Sequence, residues 1–248
     1  MAKDLSEKVS HLANTLLSQK RHIKLLEAGC GSASHVHFNA AVTAFGIDVS
    51  EEQLKKNSAV QEKILGDIQT YPLPKGEFDV VVCWDVLEHL ATPQQALLNL
   101  FASTRPGGLI ILAFPNLLSF KGLVTKLTPL WFHTLFYRYM HYTFRPFPTF
   151  LRASILPKRV MRLAREQRLS VEFFELFEGR VARTFRNRVR IIDWIFEGID
   201  VLMKTISLGR MSSLALDNCV MILQKGNTLH ERSRPVDVEP HKIGILGI

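Results

Sequence analysis

Short apolar runs alternate with amphipathic stretches through residues 23–116. Five strands are predicted from them: Ile23–Glu27, Ala44–Val49, Ile64–Ile68, Phe78–Trp84 and Leu109–Phe114. The fourth run, FDVVVCW, is apolar on both faces, which is typical of a strand inside a parallel sheet. Strands that alternate with helices along the chain predict right-handed crossovers and a doubly wound α/β sheet.

Helical patterns separate these strands. Residues 1–22 form an amphipathic pattern without the apolar run of a signal peptide, and residues 34–43 continue the helical alternation. Ser50 opens a further helix, with carboxylates in its first turn. Thr92 followed by Pro93 predicts the start of another, because threonine caps a helix and proline suits its first position.

The alternation stops after residue 116, and the rest of the chain divides differently. We predict a helical, aromatic and basic lid insertion at 117–156, a C-terminal half at 157–225 with a second helical insertion at 179–217, and a loosely held tail at 226–248. Within the C-terminal half, a basic helix opens at Pro157, strands cover 171–177 and 219–224, and an amphipathic helix covers 189–208.

Composition removes several classes of protein. The 248 residues are 47% hydrophobic and 22% charged, which excludes a disordered or fibrous chain. Cys30, Cys83 and Cys219 lie far apart, so neither a disulfide framework nor a zinc site is expected. The chain has no run of about 18 apolar residues, so no membrane-spanning helix is predicted. A reducing, cytoplasmic setting is therefore expected.

The net charge of +8 belongs to one region of the chain. Residues 117–210 hold 17 Lys and Arg against 7 Asp and Glu, and ten of the 23 aromatic residues lie within 120–150. The region after the predicted fifth strand is thus compositionally separate from the region before it. It is the place where a further function is expected.

Acidic side chains and glycines stand where the first three predicted strands end. Gly29 and Gly31 follow Glu27 at the end of the first strand, and glycine lets backbone approach a ligand closely. Asp48 and Asp67 end the second and third strands. Because ligands bind at the carboxyl edge of a doubly wound sheet, these acids are expected to line one crevice. A carboxylate such as that of Asp48 can accept hydrogen bonds from both hydroxyls of a ribose.

Six short motifs occur in order along this half of the chain. They are LEAGCG at 26–31, GIDVS at 46–50, GD at 66–67, FDVV at 78–81, VLEHL at 86–90 and RPGG at 105–108. Together they resemble the class I S-adenosylmethionine-dependent methyltransferases, in particular the small-molecule branch (type 11) that includes the ubiquinone-pathway enzymes. The resemblance is strong over residues 23–116 and extends to 160–224 by general layout. It implies a Rossmann-like, mostly parallel sheet of seven strands.

The resemblance also implies roles for individual residues toward S-adenosylmethionine, whose product is S-adenosylhomocysteine. Glu27, Gly29, Cys30 and Gly31 would cradle the methionine part, Asp48 the ribose, Val49 the adenine face, Asp67 with Ile68 the adenine edge, and Trp84 with Asp85 would border the methyl group. One departure is Ala33, which stands where the family often has a third glycine. A dehydrogenase is the nearest competitor for the glycine turn, but it would need glycine at position 34, which is serine.

His89 and Asp85 are the predicted catalytic residues. In the family a Glu-His pair follows the fourth strand, and a histidine there can act as a general base because its ordinary pKa is near neutrality. Two alternatives remain open at this point. Related quinone-ring enzymes place a divalent metal near such a pair, which would involve Asp85, Glu88 and His89, and a histidine can also simply pack locally. We predict no metal.

The predicted lid supplies candidates for acceptor binding. Its aromatic residues would wall an apolar pocket and exclude water: Trp131, Phe132, Phe136, Tyr137, Tyr139 and Tyr142. Ordinary packing of these aromatics in a core is the alternative. The resemblance and the lid together predict O- or N-methylation of a small, apolar or lipid-like acceptor.

The cations allow a second interpretation of the same region. Arg180, Arg183, Arg186, Arg188 and Arg190 lie close together in sequence and would suit the anionic inner face of a membrane. RNA or DNA methylation is an alternative, although Trp84-Asp85-Val86 stands where base-amino methyltransferases have Asn/Asp-Pro-Pro-Tyr. A catalytically silent cofactor-binding module is another. The sequence predicts no oligomeric state.

Overall fold

The computed structural model describes residues 2–32, 34–117, 119, 150, 152–179 and 216–227, with single positions at 183, 194, 198, 201 and 205. Seven strands lie in this part of the chain: β1 (His22–Ala28), β2 (Ala41–Asp48), β3 (Glu62–Leu65), β4 (Phe78–Trp84), β5 (Thr104–Pro115), β6 (Leu169–Phe177) and β7 (Asn218–Lys225). The helices whose bounds are described are α1 (Ala2–Leu16), α2 (Glu51–Lys56), α3 (Pro93–Ser103) and α4 (Pro157–Glu166).

The seven strands form one sheet in the order β3-β2-β1-β4-β5-β7-β6. Strands β1 to β5 are parallel, and β7 lies antiparallel between β5 and β6. The predicted doubly wound, mostly parallel seven-stranded sheet is therefore confirmed. The order of strands reverses between β1 and β4, and this reversal opens a crevice at the carboxyl edge of the sheet.

Buried apolar side chains cover both faces of the sheet. On β4, Val81 and Cys83 join the cluster under α3 and α4, whereas Val80 and Val82 join the cluster under α1. Side chains alternate between faces because the period of a strand is two residues. This double burial explains why β4 lacks an exposed apolar and polar alternation.

The predicted helix starts are largely confirmed. Ser50 caps α2 by accepting a hydrogen bond from Gln53 N–H at 3.3 Å. Pro93 occupies the first turn of α3 after Thr92. The Thr92 hydroxyl makes no capping bond to α3; it donates to Gln69 Oε1 at 2.8 Å. The sequence therefore predicted where α3 begins but not the hydrogen bonds of Thr92.

The predicted helix at 34–43 is wrong. Residues 34–40 contain no helix, and β2 already begins at Ala41, which pairs with His22 at the amino end of β1. The chain must therefore recross the length of β1, about 20 Å, after the glycine loop. The seven residues 34–40 would span only about 10 Å as a helix but about 23 Å when extended. An extended crossover is the conformation that reaches.

Two predicted strand boundaries also differ. The third strand lies at Glu62–Leu65 rather than 64–68, so Asp67 follows it in a turn. The fifth begins at Thr104 rather than 109, and the predicted Arg-Pro-Gly-Gly turn is an irregular part of β5 where its register against β4 shifts. Gly107 has a φ of +75° there. A bulged strand accommodates this glycine without ending.

Asp79 anchors the opposite, amino edge of the sheet. Its buried carboxylate accepts from Lys24 N–H at 2.9 Å and contacts Arg105 Nη1 at 2.8 Å and Lys20 Nζ at 2.9 Å. Burial alone would raise the pKa of Asp79, but the Lys24 hydrogen bond and the two cations outweigh it and hold this pKa below its usual value. The carboxylate thus ties β4 to β1 and β5.

Most of the predicted insertions lie outside the described residues. This applies to most of the lid at 117–156, to the tail at 226–248 from residue 228 onward and to most of the segment at 179–217. Positions 194, 198, 201 and 205 of the predicted 189–208 helix are helical. Among the described residues, no helix is long and apolar enough to cross a membrane.

Candidate functional site

The glycine loop after β1 folds tightly at the carboxyl edge of the sheet. Gly29 and Gly31 have φ values of +69° and +50°, a region that glycine enters without strain. The N–H groups of Gly29 and Cys30 donate to Ile47 O at 2.8 and 3.2 Å. A Cβ at Gly29 would lie 2.4 Å from the Val86 side chain, so the loop needs glycine there for space as well.

Asp48 ties this loop to the tip of β2. One carboxylate oxygen accepts from Gly31 N–H at 2.9 Å and the other from Ser50 N–H at 2.8 Å. Each oxygen keeps a further lone pair, so the carboxylate can still accept hydrogen bonds from a vicinal diol. The predicted ribose residue therefore also organises the loop that it was expected to stand beside.

Asn57 is a site residue that sequence reasoning missed. It ends α2 and is fully buried, and its side-chain amide donates to the carbonyls of Cys30 and Gly31, both at 3.2 Å. Its own oxygen accepts from Ala59 N–H at 2.9 Å. Nothing local in the sequence indicates that this side chain contacts a loop 26 residues earlier, so sequence reasoning did not identify it.

Glu27 is the most unusual group at the edge. It is 3% exposed, and Oε1 accepts a hydrogen bond from the Ser34 hydroxyl. Within the described residues, Oε2 is buried and has no hydrogen-bond partner. Burial raises the pKa of Glu27 from 4.5 to about 7. An unpaired buried carboxylate oxygen is costly, and a ligand that donates a hydrogen bond or carries a positive charge would offset that cost.

The structure places the three residues predicted to contact the adenine in different environments. Val49 is 71% exposed at the tip of β2, where a flat apolar surface can lie on it. Asp67 accepts from Gln69 N–H at 2.9 Å and from the Gln69 amide at 3.0 Å. The Ile68 side chain is buried in the core and its carbonyl accepts from Asn99 at 3.0 Å, so its backbone N–H is the group that can meet a ligand.

Cys30 lies in the loop but its thiol faces inward. The side chain is 6% exposed, and its sulfur would lie 2.7 Å from a Cβ placed on Gly46. Burial, followed by the charges of Asp48 and Glu27, raises the pKa of Cys30 to about 11. The thiol is therefore protonated and packed, and only the backbone of Cys30 can take part in binding.

Trp84 and Asp85 stand at the tip of β4, beside the glycine loop. Asp85 has a φ of +54°, which is rare for a residue other than glycine and is often found at functional sites. The His35 ring lies nearly parallel to the Trp84 ring, with centroids 5.3 Å apart and an interplanar angle of 11°. His35 was not a predicted site residue, because no spacing in the sequence brings it to Trp84.

His89 lies just beyond this tip, in a single 3₁₀ turn at Leu87–His89. Its Nε2 is 3.9 Å from Glu88 Oε1, and its backbone N–H donates to Val86 O at 3.0 Å. The buried Glu88 accepts from Phe150 N–H at 2.9 Å through its carbonyl. Among the described residues, no group of three or more His, Cys, Asp or Glu is arranged to hold a metal.

The structure thus brings Glu27, Gly29, Gly31, Asp48 and Trp84 to one edge, with Val49, Asp67, Asp85 and His89 at neighbouring strand tips. The predicted acceptor-binding aromatics cannot be placed in the same way. Trp131, Phe132, Phe136, Tyr137, Tyr139 and Tyr142 all lie outside the described residues. Their role stays a prediction.

Known proteins share both this sequence region and this architecture. Residues 26–112 match the methyltransferase domain family. These residues form a class I S-adenosylmethionine-dependent methyltransferase domain. The resemblance inferred from the six motifs is confirmed for this part of the chain.

Two curated relatives match the same region. A Mycolicibacterium smegmatis protein named "Probable S-adenosylmethionine-dependent methyltransferase" is 34% identical over 116 residues, which is 44% of each chain. The mitochondrial ubiquinone biosynthesis O-methyltransferase of Schizosaccharomyces pombe is 35% identical over 104 residues, or 36% of this chain and 37% of that protein. The chain spans less than half the length of these two relatives.

The fold is also found among solved structures. The [4+2]-cyclase SpnF superposes with a TM-score of 0.54 at 14% identity, covering 89% of this chain and 82% of the cyclase. This similarity concerns architecture alone, since one fold hosts different chemistries. The residues at the sheet edge must therefore carry the functional argument.

S-adenosylmethionine fits these residues. Its ammonium group would complement the buried, unpartnered oxygen of Glu27, and its ribose hydroxyls would meet the remaining lone pairs of Asp48. Gly29 and Gly31 of the glycine loop are partly exposed beside both. Charge and hydrogen-bonding capacity therefore agree with the cofactor of the domain family.

The raised pKa of Glu27 predicts a pH dependence of stability. A carboxyl whose pKa rises on folding stabilises the fold most below its unfolded value of 4.5, and this contribution is lost as the pH rises through about 7. We expect Glu27→Gln to remove the loss and to stabilise the ligand-free protein at pH 8 by up to about 3 kcal/mol, since one pKa unit equals about 1.4 kcal/mol.

Urea unfolding of both proteins between pH 5 and pH 8 measures this difference. Glu62→Gln, which changes an exposed carboxylate on β3, serves as the control and is expected to leave the slope unchanged. If the free energy of unfolding varied with pH identically in the wild type and Glu27→Gln, burial would not raise the pKa of Glu27.

Proposed function

We propose that this protein is an S-adenosylmethionine-dependent methyltransferase that acts on a small, apolar or lipid-like acceptor. The single observation that carries the proposal is the buried Glu27 carboxylate beside the glycine loop, one oxygen of which has no hydrogen-bond partner among the described residues. Such a group is costly unless a cationic or hydrogen-bond-donating ligand completes it. The methyltransferase domain at 26–112 supplies the class of ligand.

In this proposal each strand tip holds one part of the cofactor. Glu27 and the glycine loop take the methionine part, Asp48 the ribose, and Val49 with the turn at Asp67 the adenine. When bound, the cofactor supplies a methyl group activated by a sulfonium. Trp84 and Asp85 border that group at the tip of β4. The chain then contributes mainly alignment of the acceptor and exclusion of water.

The acceptor is proposed from the relatives and from the chemistry of His89. Ubiquinone biosynthesis O-methyltransferases are among the relatives, which favours a phenolic hydroxyl on an apolar or lipid-like molecule, with an amine as the alternative. His89, partly exposed beside the β4 tip, would take the proton from that hydroxyl, with Asp85 nearby. The aromatics of residues 131–142 would form the acceptor wall.

Calorimetric titration with S-adenosylmethionine, S-adenosylhomocysteine and NADH tests the proposal. We expect micromolar binding of the first two and none of NADH. Asp48→Ala should weaken binding of S-adenosylhomocysteine at least tenfold, because it removes two hydrogen-bond acceptors and loosens the glycine loop.

Glu51→Ala is the matched control for this titration, since it removes an exposed carboxylate three residues away and should leave affinity unchanged. Circular dichroism verifies that both variants fold. Wild-type protein that binds NADH, or neither sulfur compound, would overturn the proposal. An Asp48→Ala variant with wild-type affinity would remove Asp48 from the ribose site.

The role of His89 predicts a split between turnover and binding. An acceptor phenol, free or lipid-linked, is first identified by mass spectrometry of its methylated product. With that acceptor, His89→Ala should lower kcat about 100-fold, the typical contribution of a general base. Affinity for S-adenosylhomocysteine should change less than twofold. His22→Ala, at the opposite edge of the sheet, is the control. Undiminished turnover in His89→Ala would make the histidine a packing residue.

We further propose that the protein contacts anionic membrane surfaces, which would deliver a lipid-like acceptor. The supporting observation is the outer face of α4, where Lys158, Arg159, Arg162 and Arg165 are exposed while Val160 and Ala164 are buried. Phe150, 52% exposed, lies under Arg152 at 5.6 Å. Arg183, one of the arginines first considered for this role, instead contacts Glu178 at 3.5 Å.

Vesicle flotation tests this contact. We expect binding to phosphatidylglycerol vesicles at low salt, loss at high salt, and no binding to phosphatidylcholine, because each basic residue contributes about 1 kcal/mol at an anionic surface. Lys158→Glu/Arg159→Glu should reduce the bound fraction at least tenfold, and both changes suit the first turn of a helix. Lys55→Glu/Lys56→Glu, with the same charge change on α2, is the control. Equal flotation of the two variants would reject α4 as the contact.

The alternatives from the sequence have distinguishable outcomes. Salt-sensitive binding of RNA or DNA in place of vesicles would favour methylation of nucleic acid. Binding of S-adenosylmethionine without formation of S-adenosylhomocysteine, across phenols, amines and lipid-linked compounds, would favour a silent cofactor-binding module.

A further inference from the structure

One face of α1 carries three polar side chains at a spacing of four residues: Ser6, Ser10 and Asn14. All three bind the backbone of the extended crossover at residues 35–39. Ser6 donates to His35 O, Ser10 Oγ accepts from His37 N–H at 3.1 Å, and Asn14 donates to His37 O at 2.9 Å and accepts from Asn39 N–H at 2.8 Å. We call these three residues the polar ladder.

The ladder matches the repeat of the crossover. Four residues of helix rise about 6 Å, and two residues of extended chain rise about 6.6 Å, so successive ladder positions meet alternate backbone groups. The side chains of Val36 and Phe38 point the other way and pack into the cluster under α1. The helix face thus acts on residues 35–39 as a neighbouring strand would.

The same crossover carries two contacts of the cofactor site. Ser34 donates to Glu27, and His35 lies against Trp84. Neither residue is itself held by a helix, because residues 34–40 contain none. Their positions therefore depend on what holds the backbone that follows them. In the described part of the chain, that backbone is bonded to the polar ladder.

We propose that Ser6, Ser10 and Asn14 are positioning residues of the cofactor site, which couple the docking of α1 to binding of the aminoacyl end of the cofactor. By holding residues 35–39 extended, the ladder fixes Ser34 against Glu27 and His35 against Trp84 before the ligand arrives. This inference rests on the proposed function. A site that is already ordered binds its ligand more tightly, because binding does not have to order it.

The test uses full-length Ser10→Ala/Asn14→Ala with S-adenosylhomocysteine as the probe. We expect at least tenfold weaker binding by calorimetry. In the ligand-free protein, the amides of His37 and Asn39 should exchange their hydrogens at least tenfold faster, because their acceptors are gone. With Trp131 and Trp194 replaced by Phe in both proteins, the fluorescence of Trp84 should change as His35 moves away from its ring.

His11→Ala/Thr15→Ala is the matched control. Both residues are exposed on α1, and the Thr15 hydroxyl bonds only to His11 O within the helix. This variant should keep wild-type affinity and exchange rates. Ser10→Thr, which retains the hydroxyl in place of Ser10, should restore most of the affinity lost in Ser10→Ala. Such a rescue would assign the lost affinity to the hydrogen bond of Ser10 with His37 N–H and not to packing of the helix.

The outcomes separate this inference from the proposed function. Wild-type protein that does not bind S-adenosylhomocysteine overturns both. Wild-type binding with unchanged affinity in the double variant overturns only the ladder. If the double variant does not fold, Ser6→Ala and Asn14→Ala are tested singly, and unchanged affinity in both has the same meaning.

Discussion

The hydrogen bond between the Gly31 N–H and the Asp48 carboxylate is the interaction on which the site depends. It joins the tips of β1 and β2 at 2.9 Å, where the parallel ladder between these strands has ended. The side-chain amide of Asn57 holds the same loop by donating hydrogen bonds to the carbonyls of Cys30 and Gly31. With the loop fixed in this way, its backbone faces the crevice at the reversal of strand order, and the acids around it occupy defined positions.

A second constraint is the burial of Glu27. The fold places a carboxylate where solvent cannot reach it and gives it one hydroxyl donor, from Ser34. In the proposed function a bound cofactor offsets this cost, a common arrangement at functional sites. The extended crossover and α1 belong to the same arrangement, since they set the position of Ser34. In the proposed arrangement α1, which precedes the motifs in the chain, supports residues of the site that the motifs define.

The two ends of the sheet have different chemistry. At the amino edge, Asp79 is surrounded by Lys20, Lys24 and Arg105, and its charge is fully compensated. At the carboxyl edge, one oxygen of the Glu27 carboxylate has no hydrogen-bond partner among the described residues. The same residue class thus stabilises the fold in one place and prepares for a ligand in the other, and the difference lies in whether cations of the chain reach the carboxylate.

The sequence by itself determined the strands, the parallel sheet and the placement of Glu27, Asp48 and Asp67 at or just beyond strand tips, because these follow from local apolar runs and the residues that end them. Tertiary structure alone decided the extended crossover, the return of Asn57 to the glycine loop, the His35–Trp84 stack and the polar ladder on α1. Each of these depends on the distance that a connection must span or on contacts between residues far apart in the chain. No local pattern encodes such distances, and the predicted helix at 34–43 failed for that reason.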